Sequence, residues 1–175
     1  MKMIQKGVTR QMLSKENLAL YAFQKYGDTA LQAAFCCIGN RADAEDIAQE
    51  IFFSLHRQPR DFADDDHLKV WILRTVINRS RCLHKNLLRR VHINMDHFPT
   101  AAVTVQDSAE REIVNLITSL PQPCAEVVYL HDYENYTVRE IAQLLNRTET
   151  TVSLQLQRGH GTLCIERPAE LAGEV

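Results

Sequence analysis

Apolar residues along this chain recur at intervals of three and four and seldom alternate, which predicts helices and no convincing strand. A first helix is expected over about 14–26, where Leu18, Tyr21 and Ala22 share a line with Lys25. Gly27-Asp28 reads as a break, with Asp28 as the N-cap of a second helix running to Cys37. Gly39-Asn40 closes that segment, since both residues tolerate left-handed backbone. Asp43 is the expected cap of the next helix, about 43–55, whose stripe is Ala44, Ile47, Ile51, Ser54 and Leu55. Gln58-Pro59-Arg60 stops it. Asp64-Asp65-Asp66 then caps a long helix, about 66–90, with Leu68, Trp71, Ile72, Thr75, Val76, Leu83 and Leu87 on its buried side. The expected fold class is all-α.

The periodicity lapses over 93–108, which reads as a linker. The chain is therefore expected to form two small helical domains, 1–92 and 109–175. The second opens with a helix near Ser108 on which Ile113, Leu116, Ile117 and Leu120 recur. After the turn at Leu120-Pro121-Gln122-Pro123, a short helix over 124–132 uses Val127, Val128 and Leu130. Thr137 followed by Glu140 has the capping-box spacing. Ile141, Leu144 and Leu145 face inward from that helix, Ala142 is small where a second helix can cross, and Asn146 suits a left-handed turn. Thr148 or Glu149 then starts a helix with Val152, Leu156 and Leu163 inward. That is a helix-turn-helix, although Gly159 and Gly161, each costing up to about 1 kcal/mol in a helix, lead one to expect fraying beyond them.

Charge changes the picture, because the net −2 hides +3 over 1–39, −5 over 40–66, +7 over 67–92 and −7 beyond. Such asymmetry suggests two kinds of partner. The acidic helix presents Asp43, Glu45, Asp46, Gln49, Glu50 and Phe53 outward. Acids repel phosphate, so this face suits a protein partner, especially one bearing arginines. The next helix sets Arg74, Asn78, Arg81 and Lys85 on one side, opposite Leu68 and Ile72. Cations beside an amide suit the phosphates and exposed bases of a single strand. Trp71 offers a stacking face, but its spacing with Leu68 and Ile72 places it in the core.

The second helix of a DNA-binding helix-turn-helix lies in the major groove. Here its outward residues, with Thr148 at its start, are Thr150, Thr151, Ser153, Leu154, Gln155, Gln157 and Arg158. Gln can pair with adenine, and Thr or Leu can meet a thymine methyl. Arg147 and Arg158 are the only arginines or lysines between 140 and 165, so phosphate neutralisation is thin.

The remaining chemistry points away from catalysis. The five cysteines form no CxxC pair and read as free, mostly buried thiols of a reducing cytosol. No Cys/His set has metal-ligand spacing. No phosphate loop or nucleophile–base constellation appears. Lys2 and Lys6 are not followed by the apolar run of a signal peptide, and nothing approaches the roughly 20 apolar residues of a membrane span. The expectation is a cytoplasmic, non-enzymatic protein without metal or cofactor.

Taken together, the motifs resemble the extracytoplasmic-function group of bacterial RNA polymerase sigma factors over about residues 15–165. The segment Asp43-Ala44-Glu45-Asp46-Ile47-Ala48-Gln49-Glu50-Ile51-Phe52 is similar to that group's region 2 motif. Lys69 to Arg79, with Trp71 near its start and Asn78 near its end, resembles the helix that follows. Leu120-Pro121, Thr137 to Leu145 and Thr151-Val152 resemble region 4. The resemblance implies that the acidic helix docks on a coiled coil of the polymerase β′ subunit. It implies that the basic helix with Asn78 melts and binds the −10 promoter element. It implies that the second domain reads the −35 element and contacts the β flap. An anti-sigma factor is a further implied partner.

The chain departs from the family where Ser153, Gln155, Gln157, His160 and Gly161 stand in place of Lys or Arg. It departs also at Arg147, usually apolar, and at Leu154, usually polar. Two other readings stay open on the sequence: a helix-turn-helix regulator that never joins polymerase, and a sigma-like adaptor without promoter-specific initiation.

Overall fold

The computed structural model describes residues 15–91 and 108–166, and side chains over 18–84 and 113–163. All regular structure among them is helical. The chain divides into two compact units, the first carrying α1 (Lys15–Ile38), α2 (Arg41–Arg57) and α3 (Asp65–Val91). The second carries α4 (Ser108–Thr118), α5 (Gln122–Val128), a π-helical turn (Tyr129–Tyr133), α6 (Val138–Leu145) and α7 (Glu149–Glu166). Most of the expected linker lies outside the described residues.

In the first unit α1 packs on both α2 and α3. It is one continuous helix, so the break expected at Gly27-Asp28 does not occur. Ala19, Ala22, Tyr26, Ala30 and Ala33 are buried at three- and four-residue intervals straight through the glycine. Burial of that stripe outweighs the roughly 1 kcal/mol that one helical glycine costs. The alanines leave room for α2 to approach closely. Gly39, at φ 72°, ends the helix as expected.

The cap of α2 is Asn40 and not Asp43: its Oδ1 accepts from the Ala42 amide at 2.9 Å. Asp43 lies in the first turn, where the helix dipole favours an acid. Ala44, Ile47, Ala48, Ile51, Phe52 and Leu55 form the buried face. At the start of α3, Asp64 accepts from the His67 amide at 2.8 Å. Asp65 accepts from Tyr21 Oη at 2.8 Å and pairs with Lys25. Burial works to raise the Asp65 pKa, but hydrogen bonds from Lys25 and Tyr21 hold it below the usual carboxylate range. Lys25 donates to Asp65 and also to Tyr21 Oη at 3.0 Å, and these bonds, Asp65 first, raise the Lys25 pKa. This cluster fastens α1 to the N-terminus of α3.

Leu68, Ile72, Leu73, Val76 and Ile77 of α3 are buried, a broader stripe than expected. Trp71, Thr75 and Leu83 are only half-buried, and the Leu87 side chain lies outside the described residues. Trp71 is covered by the connection between α2 and α3: the Phe62 ring is 5.6 Å away and the Arg60 guanidinium sits 5.4 Å from its centroid.

The core of the second unit is formed by Val114, Ile117, Leu120, Val127, Val128, Tyr129, Leu130, Ile141, Leu144 and Val152. Ile113, expected inward, is exposed, and Val114 takes its place. The helix expected over 124–132 is α5 running into the π turn, where Tyr129 stacks on Tyr133 at 5.3 Å and bonds Glu134 Oε1 at 2.8 Å.

Candidate nucleic-acid and protein interfaces

On α2 the buried face fixes the rotation of the helix, and Asp46, Gln49, Glu50 and Phe53 are left exposed on the other side. With Arg57 they line one shallow concavity. Half-buried Asp43 stands a turn earlier on the same strip, as 43, 46, 50, 53 and 57 step by three and four. Phe53 is 62% exposed, an apolar centre inside an acidic and amide rim. Glu50 also pairs with Arg79 of α3 at 3.2 Å, which sequence spacing alone does not reveal. The pair is half-exposed on both sides, so it contributes little to stability.

Positions 74, 78, 81 and 85 of α3 fall on one line, opposite buried Ile72 and Val76. Arg74 and Asn78 are exposed and Arg81 is half-buried. The Lys85 side chain lies outside the described residues. Trp71 borders this line, so its half-burial replaces the core position expected for it.

The helix-turn-helix forms where the sequence places it. Thr137 Oγ1 accepts from the Glu140 amide at 3.3 Å, and Glu140 Oε2 accepts from the Thr137 amide at 2.8 Å. The Thr137 hydroxyl, donating to Glu140 Oε2 at 2.7 Å, and then the Thr137 amide depress the Glu140 pKa. Asn146 takes the left-handed turn, φ 52° and ψ 52°. Thr148 Oγ1 accepts from the Thr151 amide at 3.2 Å, capping α7. Val152 is buried; Thr148, Thr150, Thr151, Ser153, Leu154, Gln157 and Arg158 are exposed.

Three features of this unit lie outside what the sequence pattern shows. The helix does not fray at Gly159, which is buried in the crossing with α5; a Cβ there would stand 2.6 Å from Val128 Cγ2. Only a glycine admits that approach. Gly161, in contrast, faces open space. Arg147 is not a loose surface cation. Its Nη2 donates to Glu126 Oε2 at 2.7 Å, and its Nη1 donates to Gln155 Oε1 at 2.8 Å and to the Pro123 carbonyl at 3.4 Å. The Glu126 side chain is 1% exposed, so an arginine at the turn is what its buried carboxylate requires. Gln155 is thereby held half-buried instead of projecting outward. Lastly, Asp132 joins His131 at 2.6 Å to His160 of α7 at 2.7 Å. The only sequence signal for the Arg147 network is a charged residue just after the turn at Asn146.

The Sigma-70 region 2 family matches residues 22–90, and the Sigma-70 region 4 family matches residues 110–160. The two regions follow in order and coincide with the two helical units. This chain belongs to the sigma-70 family. Similar curated proteins are the ECF RNA polymerase sigma factors SigM of two Mycobacterium tuberculosis strains, each 27% identical over 124 residues. The match spans 69% of this chain and 62% of those relatives' length. The fold is also that of the sigma factor RpoE in its complex with the anti-sigma factor NepR from Bartonella quintana. That likeness has a TM-score of 0.69 at 14% identity, covering 84% of this chain and 94% of RpoE. In this sigma-70 chain, no helix among the described residues is long and apolar enough to cross a membrane.

Proposed function

We propose that this chain is an alternative sigma factor: a cytoplasmic, non-catalytic subunit that joins core RNA polymerase and directs it to selected promoters. The observation that carries the reading is the division of labour within one chain. An acidic face with exposed Phe53 stands on α2, a line of cations with Asn78 stands on α3, and a helix-turn-helix follows in a separate unit. A regulator that bound only duplex DNA would have no use for the first.

Asp43, Asp46, Gln49, Glu50 and Phe53 would dock on the β′ coiled coil, with the acids meeting arginines and the ring filling an apolar contact. Arg74, Asn78, Arg81 and Lys85 would hold the separated strand of the −10 element. Thr148, Thr150, Thr151, Ser153, Leu154, Gln157 and Arg158 would meet the −35 element, with the same unit against the β flap. By likeness to RpoE, whose structure includes NepR, an anti-sigma protein is a further partner class.

The test is titration of labelled protein with purified core polymerase. The wild-type chain is expected to bind, and Asp46→Lys with Phe53→Ser to bind at least about tenfold more weakly, the loss of one interface hot spot. Arg74→Ala with Arg81→Ala is expected to bind core normally and to form fewer open complexes. Core binding unchanged by the first pair, or opening unchanged by the second, contradicts the assignment of that face.

A further inference from the structure

The rotation of α7 about its axis is set by Val152, fully buried, and by Gly159, in contact with Val128. At 100° per residue, position 154 lies 200° from Val152 and points away from the body of the unit. Leu154 is 48% exposed there, the most exposed large apolar residue on α7 among the described residues. Thr150 and Thr151 precede it by four and three residues, and Gln157 and Arg158 follow it by three and four, so it is the centre of the outward face.

Several polar groups around that face are already engaged within the protein. Arg147 donates to Gln155 Oε1, which leaves Gln155 unable to offer adenine its donor–acceptor pair. The Thr148 and Thr151 hydroxyls bond each other at 2.8 Å. His160 is turned to Asp132. Arg147 itself is committed to Glu126, which leaves Arg158 as the exposed cation of α7 among the described residues. The middle of the face is therefore apolar and neutral: the leucine side chain, flanked by threonine methyls. In the major groove the apolar feature of a base edge is the thymine 5-methyl.

Building on the −35 reading above, we propose that Leu154 is a specificity-determining residue that selects a thymine 5-methyl group in the upstream promoter element. The contact buries apolar surface on both sides and asks for no hydrogen bond, so it compensates for sparse phosphate contacts without adding charge.

The test uses holoenzyme reconstituted from core polymerase and the full chain. Duplexes whose upstream region is random in sequence are enriched by binding, and the winning upstream element is resynthesised with deoxyuridine replacing each thymine in turn. Uracil keeps every hydrogen-bonding group of thymine and lacks only the methyl. Wild type is expected to lose affinity roughly fourfold at one position, the value of about one buried methyl group. With Leu154→Ser that discrimination is expected to vanish. Equal binding of thymine and uracil at every position, or discrimination that survives Leu154→Ser, overturns the proposal and leaves upstream reading intact. Failure to enrich any upstream element overturns both.

Discussion

Gly159 and Gly161 are two residues apart on one helix and are expected to respond oppositely to the same change. Alanine at 161 meets open space and gains helix propensity, so Gly161→Ala is predicted to stabilise the second unit by about 0.5–1 kcal/mol. Alanine at 159 drives a methyl into Val128, and Gly159→Ala is predicted to destabilise by about 1–3 kcal/mol. Thermal unfolding of the two variants checks both signs. Arg147 is predicted to matter more than its place in a turn suggests. Arg147→Met leaves the Glu126 carboxylate buried without its cation and is expected to cost about 3–5 kcal/mol. Replacing both residues by methionine is expected to recover much of that loss. If the double variant is as unstable as the single one in denaturant melts, the buried charge is not the cause.

At the scale of elements, the helices were legible because their buried stripes repeat at three and four residues, and the helix-turn-helix because its caps are local chemistry. Thr137, Glu140 and Asn146 act within a few residues of themselves, so their roles follow from spacing. The failures share a physical cause. Gly27 reads as a break in α1 because propensity is a local quantity, whereas the burial that carries the helix through it comes from α2 and α3. Gly159 reads as a weakness because nothing local tells that α5 crosses there. Asn40 displaced Asp43 as the cap because α2 begins at Arg41, three residues before its apolar stripe starts at Ala44. The Tyr21–Lys25–Asp65 cluster is likewise invisible in sequence, joining residues forty and more apart. Its pH dependence has a defined sign. The folded-state pKa of Asp65 is depressed, so its contribution is present above the ordinary aspartate value near 4 and is lost as pH falls through the folded value. Compared with wild type, Asp65→Asn is predicted to be less stable at neutral pH by about 1 kcal/mol or less, since both partners are partly exposed and screened. The difference should shrink in acid; a gap that widens as pH falls would contradict the role given to Asp65.

For the whole molecule, the order of faces along the chain carries more information than any one of them. An acidic helix face, a basic line or a helix-turn-helix is each common alone. Their sequence within one short chain was legible from charge blocks and motif spacing, and the matched regions 2 and 4 follow the same order. Which side chains face outward on α7 was only partly legible, because Gln155 is removed from the outward set by a contact with Arg147 that no periodicity reports. The most direct measurement is transcription of fragmented genomic DNA from the source organism by purified core polymerase, with and without this protein. New discrete start sites sharing upstream and downstream elements are the predicted result. Binding to core with no new start sites would contradict promoter-directing function and leave an adaptor; no binding and no start sites would leave only a duplex-binding regulator.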